Sequence, residues 1–118
     1  MKLIRYILAA GVFLIMGCSS SDITSANDIV FPAKNISFRA KVEPLFAIAC
    51  NGCHSMGNTV DLSSFVGVRA TRVVNQPGDT NCGLMQVVFG RELHTGITLN
   101  ENHRQGLKQW VIEGAQDN

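Results

Sequence analysis

Cys50-Asn51-Gly52-Cys53-His54 is the stretch on which the reading of this chain depends. It is the one place where sequence alone fixes two thiols and an imidazole side by side. Two cysteines three residues apart on one turn can reach the same edge of a planar ring, and the next residue then comes round beneath it. Cys-x-x-Cys-His in this form is the attachment signature of a c-type haem. Cys50 and Cys53 would form thioethers to the vinyl groups, and the His54 imidazole would bind the iron from the proximal side. Gly52 carries no side chain to hold the macrocycle away. Chance, a thioredoxin-like redox pair and half of a zinc site are the blander readings. Thioredoxin-type pairs follow a strand in a βαβ unit, whereas the residues before Cys50 read as helix. A tetrahedral zinc site needs a second ligand pair; Cys82, His94 and His103 remain for it, at irregular spacing.

The chain has 118 residues, room for one domain, and a formal net charge of +1. No basic footprint for nucleic acid is present. Lys2 and Arg5 form a positive n-region and Ile7 to Met16 an apolar h-region, so the opening reads as a targeting segment and not as fold. The apolar run is short for a membrane span. It leads into Ile15-Met16-Gly17-Cys18, which resembles the lipobox of bacterial lipoproteins, with Met16 departing from the commonest residue at its place. The resemblance implies a signal peptide over 1–17 and a lipid on Cys18. Ser19 after the cysteine implies the outer membrane by the bacterial sorting rule. Without Lys2 and Arg5 the ten Lys and Arg fall to eight against nine Asp and Glu, so no strongly basic docking face is expected. Of the four cysteines, only Cys82 is then left without a role; its apolar or small neighbours Gly83, Leu84 and Met85 predict a buried, inert thiol.

Residues 18–35 are polar and aperiodic beyond Cys18 and read as a flexible tether, with Phe31-Pro32 as a point where it could touch the folded part. The domain is expected over 36–118, its structured part ending near Ala115. A body this small buries little apolar surface and usually needs a disulfide, a metal or a cofactor. Phe38, Val42, Leu45, Phe46 and Ala49 recur at three- and four-residue spacing, an amphipathic helix leading into the motif. Pro44 either starts that helix or kinks it. Residues 55–80 read as loop with one turn at Ser63–Val68. Asp79 or Thr80 is placed to cap a helix over Asn81–Phe89, which Gly90 ends. Asn100 is placed to cap the last helix, Glu101 to Glu113, with Leu107, Trp110 and Val111 as its apolar stripe and Gly114 past its end. Gly106 would permit close approach by another helix. His103, in the first turn, is expected to be solvated.

Val42-Glu43-Pro44-Leu45-Phe46 followed by the pentapeptide resembles the opening of small class I cytochrome c domains, especially the planctomycete-type group. Asp61-Leu62-Ser63-Ser64-Phe65, Pro77-Gly78-Asp79, Leu84-Met85 and Gln109-Trp110-Val111-Ile112-Glu113-Gly114-Ala115 are similar to later landmarks of that group, in order, so that the match spans about Ser37 to Ala115. The resemblance implies an all-α fold of helices wrapped around one covalent haem c, with N- and C-terminal helices crossing and Trp110 packed near the haem. In these domains a Met-Pro segment shortly before the last helix supplies the distal ligand. Here the corresponding stretch, Gly90 to Leu99, has no Met, and His94 lies within one residue of the expected place. His94 is therefore the expected distal ligand and Met85 its alternative; His103, Met56 and an open site are the remaining possibilities.

These readings converge on a membrane-anchored, periplasm-facing carrier of single electrons. It would not be an enzyme by itself, since no general acid, nucleophile or phosphate loop is visible. With both axial positions filled, the iron would exchange electrons and bind no substrate, and two imidazoles would set a lower potential than His/Met. The expected partners are periplasmic or outer-membrane redox proteins, with no nucleic acid. A haem-based sensor or gas-binding lipoprotein with an exchangeable sixth site and a non-haem lipoprotein using the Cys50/Cys53 pair are the competing readings.

Overall fold

Ser37 starts the helix that leads into the pentapeptide. In the computed structural model, which describes residues 23–70, 72–96 and 98–118, the Ser37 hydroxyl accepts the Ala40 N–H at 3.1 Å. The chain then winds through one π-helical turn, Phe38–Val42, directly into helix α1, Glu43–Ala49. The choice between a start and a kink at Pro44 falls to the start: the α-helix proper begins at Glu43, with Pro44 next to it. Helical winding begins six residues before Pro44, at Phe38, and the proline falls in the first turn of the α-helical part, where a missing N–H costs least. The wider π-turn, with Val42 N–H bonded to Ser37 O at 3.4 Å, supplies the change of pitch ahead of it. The predicted stripe holds: Phe38, Val42, Leu45 and Phe46 are all buried.

Three further helices follow: α2, Phe65–Val68; α3, Gly83–Val88; and α4, Glu101–Ile112. No strand occurs among the described residues, so the fold is all-α. Helices this short are marginal alone and depend on packing. Ser64 caps α2 through Gly67 N–H at 3.1 Å. The expected cap of α3 by Asp79 or Thr80 is not made. Asp79 Oδ1 instead accepts Asn81 N–H at 2.8 Å, which closes a local turn, and Cys82 stands at the cap position with no side-chain bond. Gly90, at φ 68°, ends α3 as predicted.

Helix α4 is the longest element among the described residues, and its N-terminus closes a capping box: Asn100 Oδ1 accepts His103 N–H at 2.9 Å while His103 Nδ1 accepts Asn100 N–H at 3.3 Å. The expected solvation of His103 is wrong. Its side chain is 0% exposed, and the ring, already an acceptor at Nδ1, donates from Nε2 to Ile29 O at 3.1 Å. The residues before Ile36 are likewise not all tether. Ile29 and Phe31 are buried, Phe31 N–H donates to Asn102 Oδ1 at 2.8 Å, and Asn102 Nδ2 donates back to Phe31 O at 3.0 Å. Gly106 serves close approach as predicted, but the neighbour is the Phe31 ring, into which any Cβ would run, and not a helix. Glu113 completes the attachment by accepting Asn35 N–H at 2.7 Å and Ile36 N–H at 2.8 Å. The expected signal peptide over 1–17 and the lipidated Cys18 lie outside the described residues. Within them, no helix is long and apolar enough to cross a membrane.

Candidate cofactor site

Cys50 closes α1, its N–H bonded to Phe46 O at 2.9 Å. Its own carbonyl then accepts the N–H of Cys53 at 3.1 Å and of His54 at 3.0 Å, which coils the pentapeptide into one tight turn. Cys50, Gly52, Cys53 and His54 all face the same cavity, of about 610 Å³, within the usual range for a cofactor site. Its walls are apolar: Leu45, Phe46 and Ala49 from α1, Leu84, Val87 and Val88 from α3, Leu107 from α4, and Val60, Leu62, Val73 and Leu99 from the loops. Arg72, Glu92 and Thr95 supply polar groups at the lining.

The His54 ring is fixed from behind. Leu62 N–H donates to His54 O at 2.8 Å, and this folds the loop after the motif back on itself. Val60 O thereby comes within 3.2 Å of His54 Nδ1. A carbonyl only accepts, so Nδ1 carries the proton and the Nε2 lone pair is left facing forward. That is the tautomer a metal-binding imidazole needs, held by the kind of backbone acceptor that usually holds it. Facing it is His94, whose Nε2 lies 3.4 Å from His54 Nε2, with ring centroids 5.7 Å apart and planes inclined by 33°.

The residues fit a flat apolar macrocycle carrying a central metal. Two imidazole–metal bonds of about 2.0–2.1 Å, the zinc values, span about 4 Å when set opposite each other. The observed nitrogen separation of 3.4 Å lies just inside that span. Burial pushes the Cys50 thiol up to about 11, and the residue sits at the C-terminal end of a helix. Both features oppose the free thiolate that a thioredoxin-type pair requires. Among the described residues no group of three or more His, Cys, Asp or Glu side chains is placed to hold one ion.

Two expected site residues are not brought to the cavity. Met85 is buried but lines a separate cavity of about 110 Å³ with Thr80, Phe89, Arg91 and Lys108, so it does not face His54 as an alternative ligand. Leu84, Val87 and Val88 are the α3 residues that face the large cavity, and Met85, one position beyond Leu84, points about 100° away round the helix. Trp110 does not line the cavity either. It stacks at 5.6 Å on Phe38 and donates from Nε1 to Gln116 O at 3.1 Å. His103 is engaged at both nitrogens, and Met56 is exposed and away from the cavity. Cys82 is buried as predicted, and burial raises its thiol above the ordinary value. The Val60 carbonyl and the lining residues Arg72 and Glu92 carry no sequence signal of their own. Compared with protein-family models, curated proteins and solved structures, the chain matches none.

Proposed function

We propose that this chain is a c-type cytochrome carrying single electrons, with one haem c bound covalently through Cys50 and Cys53. His54 is the proximal ligand and His94 the distal one. The observation that carries the reading is the opposition of the two Nε2 atoms at 3.4 Å across an apolar cavity into which both thiols also open, with His54 already held in the ligating tautomer by Val60. Haem bound there supplies one-electron exchange at iron. The chain's own residues do the rest: the pentapeptide turn sets the attachment points, Val60 orients His54, and the aliphatic walls exclude water from the macrocycle faces. The burial of Phe38 against Trp110 is compatible with a cytochrome c-type fold in which the first and last helices cross, with Trp110 acting on the helix contact and not on the haem.

By the lipobox resemblance the domain is anchored through Cys18 to the outer membrane, faces the periplasm and exchanges electrons with periplasmic or outer-membrane redox proteins. The raised Cys50 thiol argues against the thiol-redox form of the non-haem reading. The test is expression in cells with cytochrome c maturation, followed by a haem-stained gel and oxidised and reduced visible spectra. A stained band, lost in Cys50→Ala/Cys53→Ala, and a low-spin spectrum are expected. A colourless, compactly folded protein would refute the reading.

A further inference from the structure

The two imidazoles that face each other are held very unequally, and this bears on the carrier reading, on which the following rests. His54 is fixed through Nδ1 by Val60 O at 3.2 Å, in a loop that is itself closed at Leu62. His94 has one polar contact among the described residues, the one to His54. Among the described residues no backbone or other side-chain hydrogen bond is made from Leu93 to Gly96, and every side chain from Arg91 to Thr95 is exposed. The stretch is bounded by two glycines in the left-handed region, Gly90 at φ 68° and Gly96 at φ 82°. A ligating histidine ordinarily passes its second N–H to an acceptor that fixes the ring and raises its basicity, and loss of that acceptor costs about 10–100-fold in affinity.

We infer that His94 is an exchangeable ligand, so that the sixth position also serves as a binding site for small uncharged molecules with a donor lone pair. Arg91 and Glu92 stay tied to Gln86 O, so the part beyond them, Leu93–Gly96, swings out with Gly96 as its glycine hinge, and the incoming molecule takes the place of the imidazole. One iron–nitrogen bond breaks and one bond from the incoming lone pair forms; no electron moves, and His94 leaves as neutral imidazole. The aliphatic walls suit a small uncharged donor, which enters without desolvating a charge.

Carbon monoxide added to the reduced, matured holoprotein is the probe. Covalent haem and a low-spin spectrum are recorded first; their absence overturns the carrier reading and this inference together, before any gas is added. With haem in place, the wild type is expected to bind CO saturably, its rate levelling off at high CO at the rate of His94 release. His94→Ala is expected to bind about tenfold faster or more, with no plateau, as for a site otherwise open about a tenth of the time or less. A wild type whose spectrum CO leaves unchanged, beside a His94→Ala variant that binds it, makes His94 a fixed ligand and leaves the carrier intact. Equal rates in the two proteins show that His94 does not hold the position. Amide exchange gives a readout independent of ligand: Leu93–Gly96 should exchange at least about tenfold faster than Leu62, and equal protection would overturn the proposed swing.

Discussion

His54 and His94 meet at 3.4 Å, yet they come from backbone of opposite character. The loop after His54 is short and closed by two bonds back onto that residue, one to its carbonyl and one from its ring. The stretch around His94 leaves α3 with Arg91 and Glu92 still bonded to Gln86 O, and then, among the described residues, makes no further backbone bond up to Gly96. One side of the cavity is therefore built before any ligand arrives, and the other is left to be organised by it. Preorganised ligands bind tightly because little order remains to be imposed, and loose ones exchange because little is lost on leaving.

The largest expected difference is between the two alanine variants. His54→Ala should abolish the low-spin spectrum and much of the holoprotein yield, whereas His94→Ala should keep covalent haem and change only the spin state, read by visible absorption. Equivalent losses would erase the asymmetry. Next in size is the back of the cavity, where Leu107 of α4 forms a wall and Gly106 beside it receives the Phe31 ring. Gly106→Ala should lower stability by about 1–3 kcal/mol, as overpacking does, measured by denaturant unfolding of the holoprotein.

Glycine substitutions separate the two loops more finely. Gly57, in the His54 loop, has φ 91°, and Gly96 has φ 82°. Alanine in the left-handed region costs about 1–2 kcal/mol. In the His54 loop that strain has no outlet, so Gly57→Ala should lower the unfolding midpoint. In the His94 stretch opening relieves it, so Gly96→Ala should leave the midpoint nearly unchanged and speed CO binding. The smallest expected effect is at Glu113, whose carboxyl is held below its ordinary value of 4.5 by the Gln109 side chain and then by the Ile36 and Asn35 N–H groups. A lowered folded value means the stabilisation is fully present above the ordinary value and is lost as pH falls through the folded one. Acid unfolding should thus be steeper in wild type than in Glu113→Gln below about pH 4.5, while the variant is slightly less stable at pH 7.

Much of this arrangement is legible in the sequence because it is local. The stripe from Phe38 to Phe46, the Asn100 cap, the Gly90 stop and the coincidence of Cys50, Cys53 and His54 all depend on spacings of a few residues. His94 could be singled out only by comparison with a family pattern, and it does face His54. The failures are non-local or concern direction. His103 and Asn102 bind the backbone of Ile29 and Phe31 from more than seventy positions away, and apolar periodicity says nothing about which carbonyl a polar side chain will find. Met85 and Leu84 are adjacent in sequence, but one helical step separates the core from the cavity. Trp110 is buried, as its place in the apolar stripe predicts, but against Phe38 and not at the cavity; periodicity identifies a covered face without naming what covers it.

The docking of Ile29 and Phe31 against α4 also sets a length. Eleven peptide steps separate Cys18 from Ile29 and can span at most about 40 Å, against about 65 Å had the free chain continued to Ile36. With a lipid on Cys18, as proposed, the domain is on a short leash. With a reach of about 40 Å at most, it serves an electron partner that itself stands at the membrane face.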